Sequence, residues 1–258
     1  MYETIARYYD LIHAGLTDDL ALLRQLAEQT GGPILELGCG TGRLLQPLAA
    51  AGYQMTGIDN SASMLDRLRQ KVAGETAVVA GRITLWESDL LALDKALWAL
   101  NQRFALAVFS YNTMMHFSLA QVETLLRQLR PYLDSGGRVF IDLANPFYLA
   151  ETAVAPQLTL ENHLTDPASG DHVLQFANTR HDETAQICHV TWLFDSSPAT
   201  GGPVQRAISQ MAYHYYYPHE LELALKTADY TLHHIWGNYD QTPFTEESDR
   251  LLLLAKIS

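Results

Sequence analysis

The sequence predicts an α/β fold: a parallel, helix-covered sheet with an antiparallel β subdomain inserted near its end. Three observations carry this. Apolar strand-like runs alternate with helix-periodic runs between residues 31 and 144. A glycine cluster follows the first of those strands. After Pro146 helix periodicity disappears, and it returns only at Pro218.

The elements follow in order. Residues 17–29, "TDDLALLRQLAEQ", read as a helix with Thr17 as N-cap, acids in the first turn and Gly31-Gly32 as the stop. Leu20, Leu23 and Ala27 share one face. "PILEL" (33–37) is a short strand, and "RLLQPLAAA" (43–51) a helix that Pro47 must kink or delay. "YQMTGID" (53–59) is a second strand, followed by a helix over 61–73 with Ser61 as its cap. "RITLWESD" (82–89) is a third strand. "FALAVFSY" (104–111) has the continuous apolarity of a strand buried on both faces. A helix over 118–133 with Ser118 as cap, an "SGG" turn and a fifth strand, "RVFIDLA" (138–144), complete the series.

The inserted sheet is read from "LTLENHLT", "HVLQFANTRH", "AQICHVTWLFD" and "RAISQMAYHYYY", separated by turn signals such as "DPASGD" and "SSPATGGP". A helix over 218–228 and strands over 230–240 and 250–258 resume the α/β pattern. The expected domains are therefore 1–150 with 218–258, and an insert over 151–217.

Composition narrows the function. The 258 residues are 48% hydrophobic, enough for a large core. A formal net charge of -12, without runs of Lys and Arg, disfavours nucleic acid. The chain shows no signal peptide and no membrane span, and Cys39 and Cys188 read as reduced thiols of a cytoplasmic protein, monomeric or homodimeric. No His/Cys/Asp spacing suits a metal, so none is expected.

The glycine cluster names a ligand class. Glycines let the backbone approach a ligand closely, the next helix offers its N-terminal amides, and an acid ending the following strand accepts ribose hydroxyls. Gly38, Gly40, Gly42 and Asp59 supply these parts. A dinucleotide fingerprint would need glycine where Arg43 stands.

The intact run Glu36-Leu37-Gly38-Cys39-Gly40-Thr41-Gly42 resembles the class I S-adenosylmethionine-dependent methyltransferases. "YYDLIH" (8–13), "GIDNSASML" (57–65), "SDLLAL" (88–93) and "LRPYLDSGGRVFIDLANP" (129–146) match further. The resemblance implies a Rossmann-like seven-stranded sheet with an antiparallel last strand, and S-adenosyl-L-methionine as cofactor. It implies that Glu36 and the backbone of Gly38, Cys39 and Gly40 hold the methionine part and adenosine, and that Asp59 takes the ribose. Asn60, Met64, Asp89 and Leu90 would surround the adenine, Tyr9 would close the site, and Ser110 would lie under the sulfonium. "SYNTMMHF" (110–117) replaces the N/D-P-P-Y/F motif of DNA and protein methylators, which points to a small-molecule acceptor methylated at nitrogen or oxygen. The insert would roof its pocket.

Tyr111 and His116 follow the fourth strand and are the candidates for a base or orienting group; the plainer reading is rim packing. Tyr213, Tyr215 and Tyr217 alternate onto one strand face and, with His189, are candidates for the acceptor wall, against ordinary sheet packing. The rival functions are a nicotinamide-dependent oxidoreductase and a cofactor-binding module without catalysis.

Overall fold

The computed structural model describes residues 2–151 and 157–258. A 3₁₀ turn, Tyr2–Thr4, leads into α1 (Ala6–Ile12), and α2 spans Asp18–Thr30. Asp18 and Asp19 sit at the positive end of α2, where acids are favoured. Thr17 precedes it but makes no side-chain capping bond, and Gly31, at φ 73°, ends it. The buried stripe is Leu22, Leu23, Leu26 and Ala27, with Leu20 half-buried against the same core.

Strands β1 (Ile34–Leu37) and β2 (Met55–Asp59) flank α3 (Leu45–Ala50). Pro47 is the third residue of α3, in the first turn where no N–H has an intrahelical partner. The helix starts late instead of kinking. In α4 (Ala62–Ala73) Ser61 caps, its Oγ accepting from Met64 N at 3.4 Å. A short α5 (Ala77–Ala80) precedes β3 (Ile83–Glu87). Then α6 (Leu93–Leu100) buries Leu93, Ala96 and Leu97 and connects to β4 (Phe104–Phe109). The periodicity reading missed both α5 and α6.

Helix α7 (Leu119–Leu129) opens with the Ser118 N–H donating to Gln121 Oε1 at 2.8 Å. Strand β5 runs from Leu133 to Ala144, with a register shift that bulges the expected "SGG" turn within it. Helix α8 is Pro146–Glu151. Four strands follow: β6 (Leu158–Thr165), β7 (His172–Asp182), β8 (Ile187–Ser197) and β9 (Gln205–His214). The chain closes with α9 (Pro218–Thr227), β10 (Tyr230–Trp236) and β11 (Arg250–Ile257).

Two sheets result. The larger has seven strands in the order β10-β11-β5-β4-β1-β2-β3, with β11 antiparallel to both of its neighbours. The smaller is the antiparallel meander β6-β7-β8-β9. In the larger sheet alternate side chains enter opposite cores. Ala107, Phe109, Leu251 and Leu253 meet α6, α7 and α9, while Leu106, Val108, Leu252 and Leu254 meet α2, α3 and α4. That two-sided burial explains the unbroken apolarity of β4. Helix α1 packs instead on the small sheet, with Ile5 and Tyr8 against Val173, Phe194 and Met211. The chain leaves β1 and β4, central neighbours, toward opposite faces, and ligands of open α/β sheets bind at the crevice this creates.

Candidate active site

Two cavities open at the carboxyl ends of β1, β2 and β4. The first, about 560 Å³, is walled by Gly38, Gly40, Asp59, Asn60, Met64 and Leu90, with His116 and His214 beyond them. The second, about 660 Å³, lies under the small sheet between Trp192, Tyr213, Gln175 and α1. Tyr2, Tyr9 and Tyr111 line both, and so form a throat between them.

The glycine loop is built for close approach. Gly38 has φ 75°, and a Cβ there would stand 2.5 Å from Thr113 Cγ2. Gly42 has φ 79°, and its Cβ would meet Leu68 Cδ1 at 2.3 Å. Asp59 braces the loop: its Oδ2 accepts from Gly40 N and its Oδ1 from Ser61 N, each at 2.8 Å. Burial raises its pKa, and these amide bonds oppose the shift.

Glu36 lies beneath the loop, 3% exposed. Ser110 Oγ donates to its Oε1 at 2.9 Å, and Oε2 has no partner. Burial pushes the carboxyl up to about 8, against the Ser110 bond and Arg43. An orphaned carboxylate oxygen beside a glycine cradle fits a ligand that brings positive charge or donors.

The structure separates the sequence-expected residues into groups. Tyr9, Gly38, Gly40, Asp59, Asn60, Met64 and Leu90 face the first cavity directly. Cys39 does not: its side chain is in the core against Gly57. Glu36 and Ser110 form the layer below. Asp89 is exposed outside the cavity wall, where Oδ1 caps a 3₁₀ turn by accepting from Leu91 N at 2.9 Å.

Tyr111 stands at the throat in a left-handed conformation, φ 38°, followed by Asn112 at 69°. A buried network holds this pair. Asp142, 1% exposed, accepts from Tyr111 N at 3.2 Å, from Tyr239 Oη at 3.0 Å and from Arg250 Nε at 2.9 Å. The Arg250 guanidinium also lies 4.9 Å from the Tyr111 ring centre, and Arg43 lies 5.5 Å from it. His116 shares a 2.9 Å hydrogen bond with Tyr2 Oη, and burial, then His214, lower its pKa to about 4.

Two acceptor-wall expectations fail. Tyr213 lines the second cavity, but Tyr215 does not share its face: β9 ends at His214, the chain turns, and Tyr215 enters the main core. His189 pairs with Arg180 and Ala212 on the face of the small sheet turned away from the cavity, while Cys188, Val190 and Trp192 line it. Sequence reasoning missed Tyr2, His13, Thr113 and the pair Asp142–Arg250. It also left Arg43 unexplained; the guanidinium holds Asp19 with bonds of 2.9 and 2.5 Å. Among the described residues no group of three or more His, Cys, Asp or Glu could hold a metal ion, and no helix is long and apolar enough to cross a membrane.

The seven-stranded sheet and the glycine loop make an α/β methyltransferase fold. Residues 34–137 match the family described as Methyltransferase domain. The cypemycin N-terminal methyltransferase of Streptomyces sp is 24% identical over 259 residues, covering 98% of this chain and 95% of that one. Of the solved structures, the CcbJ methyltransferase from Streptomyces caelestis superposes with a TM-score of 0.74 at 23% identity, over 94% and 90% of the two chains. The sugar N-methyltransferase KedS8 from Streptoalloteichus sp ATCC 53650 gives 0.71 at 18%, over 96% and 92%. The chain carries a methyltransferase domain over residues 34–137 and shares its fold with S-adenosylmethionine-dependent methyltransferases.

Proposed function

We propose that this enzyme moves a methyl group from S-adenosylmethionine in the first cavity to a small molecule in the second, at a nitrogen or oxygen. The observation that carries this is the throat: two cavities of ligand size share Tyr2, Tyr9 and Tyr111 in their walls. The cofactor supplies an activated methyl on a sulfonium. The chain's own task is to bind, align and exclude water.

In this reading the Gly38 and Gly40 backbone cradles the cofactor, and Glu36 Oε2 meets its positive charge. The remaining lone pairs of Asp59 take the ribose hydroxyls, while Met64 packs its thioether on the adenine beside Asn60 and Leu90. Tyr9 and Tyr2 close the cavity from the N-terminal side. The insert over 151–217 acts as roof of the acceptor site, with Tyr213 in its wall. The acceptor of the cypemycin enzyme is an N-terminus and that of the Streptoalloteichus enzyme a sugar nitrogen, by their names. Both favour nitrogen here. The lining of the second cavity includes Glu161 but no lysine or arginine among the described residues, which disfavours anionic acceptors.

The test is S-adenosylhomocysteine production from a panel of neutral, cationic and anionic small molecules. Product with neutral or cationic members and none with anionic ones is expected. Turnover confined to phosphorylated or carboxylated members would contradict the assignment.

A further inference from the structure

We propose that His13 is the base of the acceptor cavity, and that the acceptor it serves is an amine that arrives protonated; this rests on the methyl-transfer reading above. His13 follows the last residue of α1 and lines the second cavity. Its ring centre lies 4.2 Å from that of Tyr9, and it meets the Tyr111 ring edge-on at 5.2 Å. Both tyrosines belong to the throat, so His13 stands immediately on its acceptor side.

The tautomer follows from chemistry. His13 Nδ1 is 2.8 Å from the Tyr9 carbonyl oxygen. A carbonyl only accepts, so Nδ1 carries the proton, and the neutral ring has its lone pair on Nε2. No described residue hydrogen-bonds that nitrogen. Burial keeps the ring neutral by lowering its pKa, helped by Arg43 and opposed by the Tyr9 carbonyl, Asp10 and Asp19. Tyr9 and Tyr111 flank the ring, and Glu161 lines the same cavity. His116 is less suited. It lines the first cavity, not the second, and its Nε2 is engaged by Tyr2.

The cavity selects the acceptor's charge. Glu161 is the extra residue of a bulge in β6, between Leu160 and Asn162, and is the one carboxylate among the described lining residues. Trp192 and Tyr213 add aromatic surface. A cation is accommodated by such walls, and a phosphate is not. An ammonium nitrogen has no lone pair and cannot attack. Its N–H bond breaks toward His13 Nε2, and the imidazole becomes imidazolium. The freed pair forms the N–C bond while the pair of the breaking C–S bond stays on sulfur, and the proton leaves His13 to solvent.

The test uses the full chain with S-adenosylhomocysteine and sinefungin, a cofactor analogue carrying an amine where the transferable methyl stands. In ¹⁵N-histidine spectra of the S-adenosylhomocysteine complex, His13 is expected with Nδ1 protonated and Nε2 unprotonated at neutral pH. The affinity ratio favouring sinefungin should rise by at least about twofold as the pH is raised through the His13 titration seen in the same spectra, because the imidazolium that repels its ammonium disappears. Glu36 also responds to the extra ammonium of sinefungin, so its share of the pH dependence is read from His13 variants, which keep Glu36. In His13→Gln and His13→Phe that rise should shrink to the part set by Glu36. An Nε2-protonated ring, or an unchanged pH dependence in both variants, overturns the proposal while leaving methyl transfer standing. Failure of both probes to bind overturns the methyl-transfer reading, and the proposal with it.

Discussion

Ser110 Oγ lies 2.9 Å from Glu36 Oε1 and ties the end of β4 to the end of β1, while the second Glu36 oxygen is left bare beneath the glycine loop. A carboxyl raised to about 8 is mostly protonated at pH 7 when the site is free. A cationic cofactor favours its ionised form. Binding of S-adenosylmethionine at pH 7 should therefore release close to one proton, about 0.9 by this pKa. Calorimetry in buffers of different ionisation enthalpy reads that number directly. Glu36→Gln should reduce it to near zero and weaken binding by roughly tenfold.

The same carboxyl sets a stability slope in the free protein. Its folded pKa is raised above its unfolded value, so its contribution is full at acid pH and is lost as pH rises through about 8. Between pH 6 and pH 9 the wild type should lose about 2–3 kcal/mol more than Glu36→Gln, roughly 6 °C in Tm. Thermal melts of the two proteins across that range check it.

His116 acts in the opposite direction. Its folded pKa is depressed to about 4, so its contribution is present above pH 6.5 and disappears as the pH falls through about 4. Acidification from pH 7 to pH 5 should destabilise the wild type by about 2 kcal/mol more than His116→Gln. Denaturant melts at the two pH values give the comparison.

Much of this site was legible from residue types and spacing. Gly38, Gly40 and Asp59 stood out because a cradle needs glycine at left-handed φ and an acid one strand away, and Glu36 through the family resemblance. Helix α6 was not legible. It is short and shows only Leu93, Ala96 and Leu97 as a stripe, interrupted by the exposed Trp98. The faces of Tyr215 and His189 depend on where β9 stops and on sheet register, which residue types do not encode. The Asp142–Arg250 pair joins residues 108 positions apart, and only the antiparallel β5–β11 pairing brings them together.

That pair carries its own prediction. The Asp142 and Arg250 side chains are 1% and 12% exposed. Asp142→Ala should cost about 3–5 kcal/mol because it leaves a buried guanidinium without its counter-charge. Adding Arg250→Met should recover part of the loss. Tyr111 would lose the carboxylate to which its N–H donates, so cofactor affinity should fall more than stability alone accounts for. Denaturant melts and S-adenosylhomocysteine titration separate the two effects.

Gly38→Ala should cost about 1–2 kcal/mol from its φ alone, and more from the clash with Thr113. Thr113→Ala in the same chain should relieve the clash but not the backbone cost. Chemical denaturation of the single and double variants measures the difference.

The central claim is that the first cavity holds S-adenosylmethionine, braced by Asp59. Its most direct test is titration calorimetry of the full chain with S-adenosylmethionine, S-adenosylhomocysteine, NAD and NADP, repeated on Asp59→Ala. Binding of the two adenosyl ligands alone, weakened at least about tenfold in the variant, is the predicted result. Binding of NAD or NADP in their place, or adenosyl binding indifferent to Asp59, would contradict it.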